Sequence, residues 1–560
     1  MRFQRITQSI TLALFVGLLL LAAYPFPEGL PVDLFLRLDP LIAGGTALVV
    51  RDIALSLAPG LLVLASCFGL GRYFCGHVCP MGTTLDLLER PLVRRRRLST
   101  EESAYEADGA RRSWKYLVLG AIAAAALVGI SLVHLGSPLS LVTRFYGLFL
   151  YPIALVLGES SLTATAPLFT AVGLHELAFM QIQEKVFATN AFVAAAFVGI
   201  VLLGHLRSRF WCRNLCPAGA LMGLCSRNSL LKRRVDDSCS RCRRCVRSCP
   251  TGAIGEDPLT TAHAECIVCL RCVEVCPEKA VSFGIAATTG PTPAPSDLPT
   301  RRRLFMAAGA GLVVAGLFRT SIHRPKPLDK ERALVAADLI RPPGALPEAE
   351  FLARCVRCGE CMKACPTNTL QPVWLKAGLE GIFTPVMVPR LAACALGCTV
   401  CGSVCPTGAI RALPLEEKQH AKVGTAWILR QKCLVWEQDK KCLVCDEACL
   451  YNAVSFRPVP ELQNAAPFVV ENRCTGCGWC ETRCPVEGAS AIQISIIGEM
   501  RLASGSYIDK AREYGYVFKT KDNSVDGLAP DTFDMPGSAA PEGSPSSEPD
   551  AGLPPGFNVK

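Results

Sequence analysis

Residues 239–276 carry two copies of one cysteine spacing, SCSRCRRCVRSCP and ECIVCLRCVEVCP. Each reads C-x2-C-x2-C-x3-C-P, in which three closely spaced thiolates can take three iron corners of a cubane in one tight turn. The fourth corner needs a thiolate from elsewhere, and in paired motifs the other copy supplies it. Cys239, Cys242, Cys245 and Cys276 are therefore assigned to one [4Fe–4S] cluster, and Cys266, Cys269, Cys272 and Cys249 to a second. Structural zinc draws on two pairs of ligands rather than a run of four ending in Cys-Pro. Disulfides between cysteines three apart would be strained and would leave the duplication unexplained.

Four more motifs lie downstream. Cys355, Cys358, Cys361 and Cys365 are regular, as are Cys474, Cys477, Cys480 and Cys484. Between them, Cys394, Cys398, Cys401 and Cys405 have one extra residue in the first gap. Cys433, Cys442, Cys445 and Cys449 have a stretched first gap and Leu450 where proline is expected. The motifs recur at intervals of 39, 39 and 41 residues, which predicts two double-cluster modules. Spacing leaves open whether the first pairs with the second or the fourth, and marks the third as the one to have an altered potential or no cluster.

A looser pair stands upstream. RYFCGHVCPMGT and RFWCRNLCPAGA share R-aromatic-aromatic-C-x3-C-P-x-G, with Arg72 matching Arg209. A duplicated two-helix unit would bring Cys75, Cys79, Cys212 and Cys216 to one membrane face. Four thiolates there could hold a seventh cluster or form two redox-active pairs beside a quinone pocket. The alternative is two structural turns with buried thiols, because C-x3-C alone is a loose motif. Cys67 and Cys225 read as packing residues.

The elements that must position these cysteines are apolar. Of 560 residues, 50% are hydrophobic, and mean hydropathy is +0.32. Such a length implies about three or four domains. Charge-poor apolar runs at residues 6–24, 53–70, 115–135 and 190–206 read as four spans. Residues 145–158 and 163–179 are shorter and interrupted; they form a re-entrant or interfacial pair, or two more spans. Residues 71–114 carry eight arginines, including the block at 94–97, whereas 25–52 carry two. By the positive-inside rule the N-terminus, the 71–114 loop and the first double motif are cytoplasmic. A net charge of +10 could suggest nucleic acid, but the arginines crowd the ends of apolar runs, with no aromatic–basic pattern for nucleic-acid binding. His134, His175 and His205 lie in or near apolar segments and read as satisfied interfacial histidines rather than haem or proton-relay residues.

Residues 300–318, TRRRLFMAAGAGLVVAGLF, match a twin-arginine export signal or a fifth span. Either reading puts the chain beyond Arg319 outside the cytoplasm, and that chain shows no small-residue cleavage site. Residues 520–555 are rich in Pro, Ser, Gly and acids and read as a disordered tail. The expected domains are 1–228 (membrane), 229–285 (cytoplasmic double-cluster module), 286–322 (linker and signal anchor), 323–518 (exported four-cluster domain) and 519–560 (tail). The fold class is an α-helical membrane bundle of about four or five spans, or six to seven with the interrupted pair. It carries α+β bacterial 2[4Fe–4S] ferredoxin-like modules on both sides of the membrane.

The membrane part with its two C-x3-C-P loops and adjoining double motif resembles the membrane polyferredoxin NapH, and is similar to NosR and CcoG. The part from residue 300 through LPEAEFLARCVRCGECMKACP and its four motifs resembles the exported ferredoxins NapG and MauM. Together these cover nearly the whole chain to about residue 500, so it resembles a NapH–NapG fusion. The resemblance implies localisation in the bacterial inner membrane. It also implies electron delivery from the quinol pool to a periplasmic reductase or multihaem cytochrome, with other respiratory-complex subunits as further partners.

The expected function is therefore an electron conduit with six [4Fe–4S] clusters, or seven, fed by quinol or by a cytoplasmic donor. It would serve as the electron-transfer subunit of a quinol-linked oxidoreductase system, with no acid–base or nucleophilic site of its own. Arg241, Arg243, Arg244, Arg247 and Arg271 would raise cluster potentials by favouring the reduced state, unless they are ordinary solvated charge. The alternative, suggested by the CcoG resemblance, is a copper or thiol reductant for assembly of a respiratory enzyme. That role would use the C-x3-C pairs and would not need four exported clusters.

Overall fold

Two kinds of element alternate along the chain: apolar helices, and short antiparallel strand pairs that bracket the cysteine motifs. The computed structural model describes residues 2–25, 29–52, 54–89, 112–171, 173–179, 181–285, 299–320 and 339–521. The arginine block at 94–97, most of the linker after residue 285 and the tail beyond residue 521 lie outside the described residues.

The helical region is built from α1 (Arg2–Leu21), α2 (Pro40–Val50), α3 (Ala58–Leu70), α4 (Pro80–Leu88), α5 (Trp114–Leu127), α6 (Pro138–Ala171), α7 (Asn190–Leu202), α8 (Pro217–Ser226) and α9 (Arg301–Thr320). Proline opens α2, α4, α6 and α8 in the first turn, where its missing N–H costs nothing. Phe15, Ile42, Met81, Leu85, Val133, Phe145 and Met222 form one shared core.

Two helices, Phe3–Leu21 and Pro138–Ala171, are long and apolar enough to cross a membrane. The expected spans at 53–70, 115–135 and 190–206 are shorter apolar helices, between 10 and 17 residues. The interrupted segments expected at 145–158 and 163–179 are joined, since one helix runs from Pro138 to Ala171 and takes in the first segment and the second as far as Ala171, with His175–Ala178 a separate short helix. A π-helical turn at Tyr146–Leu150 precedes Pro152, and such a turn accommodates the hydrogen bond that proline cannot donate. Ser160, Ser161 and Thr165 give their hydroxyl protons to carbonyls four residues back, so polar residues do not end the helix. Helix α9 packs closely on α5: a Cβ added at Gly311 would lie 2.3 Å from the Ala121 carbonyl oxygen.

In the first module, β1 (Leu231–Val235) pairs antiparallel with β2 (Val281–Ile285), Leu231 opposite Ile285. Both cysteine runs hang between these strands. Further on, β3 (Leu370–Pro372) pairs with β4 (Pro385–Met387), and β6 (Val454–Arg457) with β7 (Ala466–Val469). Strand β5 (Thr425–Ile428) pairs with β8 (Ile492–Ser495) around the last two motifs, as β1 and β2 do around the first two.

The two sets of modules contact opposite ends of α1. At its start, the Gln4 amide donates to Gly76 O and the Arg271 guanidinium donates to Gln4 Oε1. Just beyond its end, Lys363 donates to Ala22 O at 2.9 Å, and it also donates to Leu19 O. At 1.5 Å per residue, Gln4 and Ala22 are about 27 Å apart along the axis.

Candidate iron–sulfur centres

In the C-terminal region the cysteines gather in fours around four separate cavities. Cys355, Cys358, Cys361 and Cys405 line one, and Cys365, Cys394, Cys398 and Cys401 a second. Cys433, Cys442, Cys445 and Cys484 line a third, and Cys449, Cys474, Cys477 and Cys480 a fourth. In every case three cysteines come from one motif and one from its partner. The first motif therefore pairs with the second, and the third with the fourth. Each lining sets four cysteines among mainly apolar residues, as four copies of one guest require. The thiols ring each space instead of converging on a point. Among the described residues, no three His, Cys, Asp or Glu side chains are grouped to hold a single ion. That donor set fits a cubane.

Backbone geometry repeats with the spacing. In each regular motif, the residues just before and just after the second cysteine have left-handed φ: Arg241 and Arg243, Val268 and Leu270, Arg357 and Gly359, Gly476 and Gly478. Only glycine takes this conformation without cost, so holding Val268 and Leu270 there marks a loop shaped by its guest. The two irregular motifs lack the device. Thr399 and Leu443, after their second cysteines, have φ of −122° and −117°. Added chain length brings their thiols round instead. In the stretched motif the extra residues form a short helix, Leu434–Gln438, ended by left-handed Asp439. The Asp439 carboxylate accepts from the Gln463 and Asn464 amides, which fixes the insert. The third motif thus assembles its four thiols like the others.

The last cysteine of three of the six motifs accepts a backbone N–H: Cys249 from Ala253 at 3.3 Å, Cys405 from Ile410 at 3.5 Å and Cys449 from Ala453 at 3.2 Å. Such bonds to sulfur raise a cluster's potential by favouring its reduced form. In the first module, Cys249 from one motif lies beside Cys266, Cys269 and Cys272 of the other, where burial foremost and Cys249 in addition raise the cost of ionising those three. Cys239 adjoins Cys245, and Cys276 lies in the same small core as Cys245. Cys242 is exposed.

The two C-x3-C-P loops converge. Cys79 and Cys216 each cap the next helix, and Cys216 Sγ accepts the Gly219 amide at 3.3 Å. The Cys79 thiol is pushed far up by burial and by Cys75 and Cys212. Cys216 is pushed up in the same way by Cys212, Cys75 and Cys79. Burial also raises the Cys212 thiol to about 12, against the opposing pull of Arg209. Four thiols drawn together from two loops, Cys79 and Cys216 buried and Cys75 and Cys212 half-buried, are a poor structural device and a good ligand set for iron. This inter-repeat group sits in one core with Phe145, Val356 and Cys358, between the first module and the first C-terminal cavity. Gly76, inside one loop, lies against the Ile267 carbonyl inside the first module's second motif; a Cβ there would come within 2.3 Å of it.

Sequence reasoning placed Arg72 and Arg209 only as markers of the repeat, and passed over Asp86 and Glu265. All four are buried and paired: Arg209 with Asp86 at 2.8 Å and Arg72 with Glu265 at 3.0 Å. The signal was a charged residue flanked by aromatics, twice. His134 is buried against the Arg357 guanidinium, so it holds a cluster-binding loop to the helices.

Residues 52–99 and 189–236, the two repeats, each match the family described as a 4Fe-4S binding domain. Residues 231–277 and 354–409 match two families described as 4Fe-4S dicluster domains, and the second of these spans the first and second C-terminal motifs that the cavities pair. The chain is 32% identical over 195 residues to the methylamine utilization ferredoxin-type protein MauM of Methylophilus methylotrophus, covering 34% of this chain and 82% of that protein. It belongs to the MauM/NapG family of ferredoxin-type proteins. MauM of Paracoccus denitrificans is 36% identical over 199 residues, covering 34% of this chain and 82% of its own. The ferredoxin-type protein NapG of Escherichia coli is 34% identical over 168 residues, 29% of this chain and 72% of its own. No solved structure matches. The MauM/NapG relationship accounts for about a third of the chain, and several [4Fe–4S] domains extend it on the N-terminal side.

Proposed function

We propose that this MauM/NapG-type protein is a membrane-bound electron conduit that carries electrons from quinol, through [4Fe–4S] clusters, to a periplasmic reductase or cytochrome. The observation that carries the reading is the placement of cysteine fours along α1. The first module lies at the Gln4 end, the inter-repeat thiols stand beside it, and the C-terminal cavities begin at the Ala22 end. A helix of this length matches the thickness of a bilayer's hydrocarbon core. With α1 spanning, the first module is cytoplasmic and the four-cluster domain periplasmic. Helix α9 is an uncleaved anchor packed on α5, and the shorter apolar helices complete a bundle of four or five spans.

Six clusters occupy the paired motifs. Cys75, Cys79, Cys212 and Cys216 hold a seventh, which relays electrons between the two sides. The residues fit this guest: two buried and two half-buried thiols that neighbour one another, an N–H donor to Cys216 and charged partners on both flanks. When bound, the clusters supply one-electron chemistry, and the protein's part is to position them and set their potentials. An assembly reductant acting on copper or thiols would use the inter-repeat cysteines alone and leave four C-terminal cavities without a task.

The test is anaerobic purification of the full chain, measurement of iron and acid-labile sulfide, and EPR during reduction by menaquinol. The proposal expects about 28 irons, four for each of seven centres, with quinol-reducible signals. About 24 would remove the relay. Clusters that quinol leaves oxidised, but a low-potential ferredoxin reduces, would replace the quinol source with a cytoplasmic donor.

A further inference from the structure

The two arginines of the repeat are exchanged between its halves. Arg72, three residues before Cys75, places its guanidinium against Gly219 of the second loop, where an added Cβ would stand 2.7 Å from Nη2. Arg209, three residues before Cys212, stands against Gly82 of the first loop, donating to Gly82 O at 3.3 Å and Cys75 O at 3.2 Å. Gly219 is therefore the space that Arg72 fills, and Arg209 lies in ordinary contact distance of a Cβ at Gly82, 3.5 Å away. Each arginine is 1% exposed.

Both also reach a carboxylate that is shared with further cations. Glu265 accepts from Arg72 at 3.0 Å and from Lys115 at 2.5 Å. Arg112 also acts on Glu265. Asp86 accepts from Arg209 at 2.8 Å and from Arg271 at 3.2 Å. Among the described residues, Arg72 and Lys115 share Glu265, and Arg209 and Arg271 share Asp86, so each pair brings more positive charge than its one carboxylate offsets. Glu89, which accepts the Arg209 amide, offsets only part of it, because burial pushes its carboxyl up to about 7. A [4Fe–4S] core on four thiolates carries negative charge in both oxidation states, and more when reduced. Buried donors also wait without partners: Arg72 Nε, Trp211 Nε1 and the Asn214 amide, the last two in the turn that carries Cys212. Arg209 also reaches the first module through Asp86, which it shares with Arg271 between Cys269 and Cys272, while Glu265 immediately precedes Cys266.

We propose that Arg72 and Arg209 are exchanged counter-charges of an iron–sulfur centre shared by the two repeats, and that Arg209 also sets the potential of the neighbouring Cys249/Cys266/Cys269/Cys272 cluster. This rests on the inter-repeat thiols holding a cluster, as proposed above. Both arginines are positioning residues: they favour the electron-rich state of each centre without taking part in bond making. Reduction adds one electron to the core, and the arginines keep their protons.

The experiment is an EPR-monitored redox titration of the full-length protein with Arg209→Gln, Arg209→Lys, Arg72→Gln and Arg72→Lys. The inter-repeat signal is identified as the one missing from a Cys79→Ser/Cys216→Ser variant. Each glutamine variant is expected to lower the reduced-to-oxidised ratio of that centre about tenfold at a fixed ambient potential, about 59 mV for one electron. Each lysine variant, which keeps the charge, should stay near wild type. Arg209→Gln should shift the Cys249-containing cluster too and leave the Cys355-containing cluster unmoved. Glutamine variants with full iron and unshifted potentials would overturn the proposal. Should glutamine variants shed the centre, the lysine variants decide: retained iron and potential support the counter-charge role, and loss equal to glutamine's refutes it. Wild-type protein with about 24 irons would instead remove the shared centre itself.

Discussion

The Cys394 amide donates to the Cys477 carbonyl oxygen at 2.9 Å, joining a ligand loop of one C-terminal cavity pair directly to a ligand loop of the other. Tyr451, 4% exposed, fills the space beside Cys394, Cys449 and Cys477. The two pairs are thus joined through a backbone link between their ligand loops, and Arg390, which donates to Cys484 O, adds a second tie.

Exchange of the fourth cysteine makes each substitution diagnostic. Cys365→Ser should empty the site of Cys394, Cys398 and Cys401, leaving that of Cys355, Cys358 and Cys361 intact. Cys405→Ser should do the reverse. Two distinguishable EPR spectra, each missing one signal, are the expected result. Loss of the signal belonging to the mutated cysteine's own motif would contradict the pairing.

The stretched motif depends on its aspartate. Asp439→Ala removes the acceptor for the Gln463 and Asn464 amides and frees the Leu434–Gln438 insert. The variant should lose one cluster's iron under brief air exposure while the remaining clusters persist. Uniform loss across all sites would show that the insert is not held locally.

A second network ties the start of the C-terminal region to its end. Arg341 and Arg501 both grip Glu348, and they hold its carboxyl down to about 2. The Glu348 side chain is 28% exposed, which screens part of the gain, so Glu348→Gln should cost about 2 kcal/mol at pH 7. A depressed carboxyl stabilises above the unfolded value, near 4.5, and the gain is lost as pH falls toward about 2. Between about pH 8 and 5.5 the difference in unfolding midpoint between wild type and variant should stay constant. A difference that changes across that window would refute the assignment.

Helix packing sets another limit. Gly311 of α9 has no room for a side chain against Ala121. Gly311→Val should destabilise the detergent-solubilised protein by about 1–3 kcal/mol through overpacking, and Gly316→Val, whose Cβ meets nothing, should be nearly neutral. Equal thermal midpoints for the two variants would mean that α9 does not dock on α5.

Much of the site was legible in the cysteine spacing, because in each regular motif three ligands of one cluster lie within seven residues. The pairing of Cys365 with the second motif was not, since it rests on contacts across thirty or more residues that spacing cannot encode. Likewise C-x3-C-P reads as a weak pattern on its own, and only the folded helices bring Cys75, Cys79, Cys212 and Cys216 together. The interrupted stretch around Ser160 and Pro167 reads as two short segments. Its hydroxyls bond back to the helix and a π-turn absorbs Pro152, so it is one. Arg72 and Arg209 stood in the repeat as plain charges; their value lies in the partners they reach in the opposite half.

The most direct test of the account places the full chain in vesicles and supplies electrons on the first module's side from a membrane-impermeant reductant. An impermeant acceptor waits on the other side. Wild-type protein should pass electrons across. Cys79→Ser/Cys216→Ser should hold the iron of the six paired-motif clusters yet transfer far more slowly, because the relay is gone. Equal rates for the two proteins, or no transfer by the wild type, would contradict a path that runs from the first module through the inter-repeat centre to the C-terminal clusters.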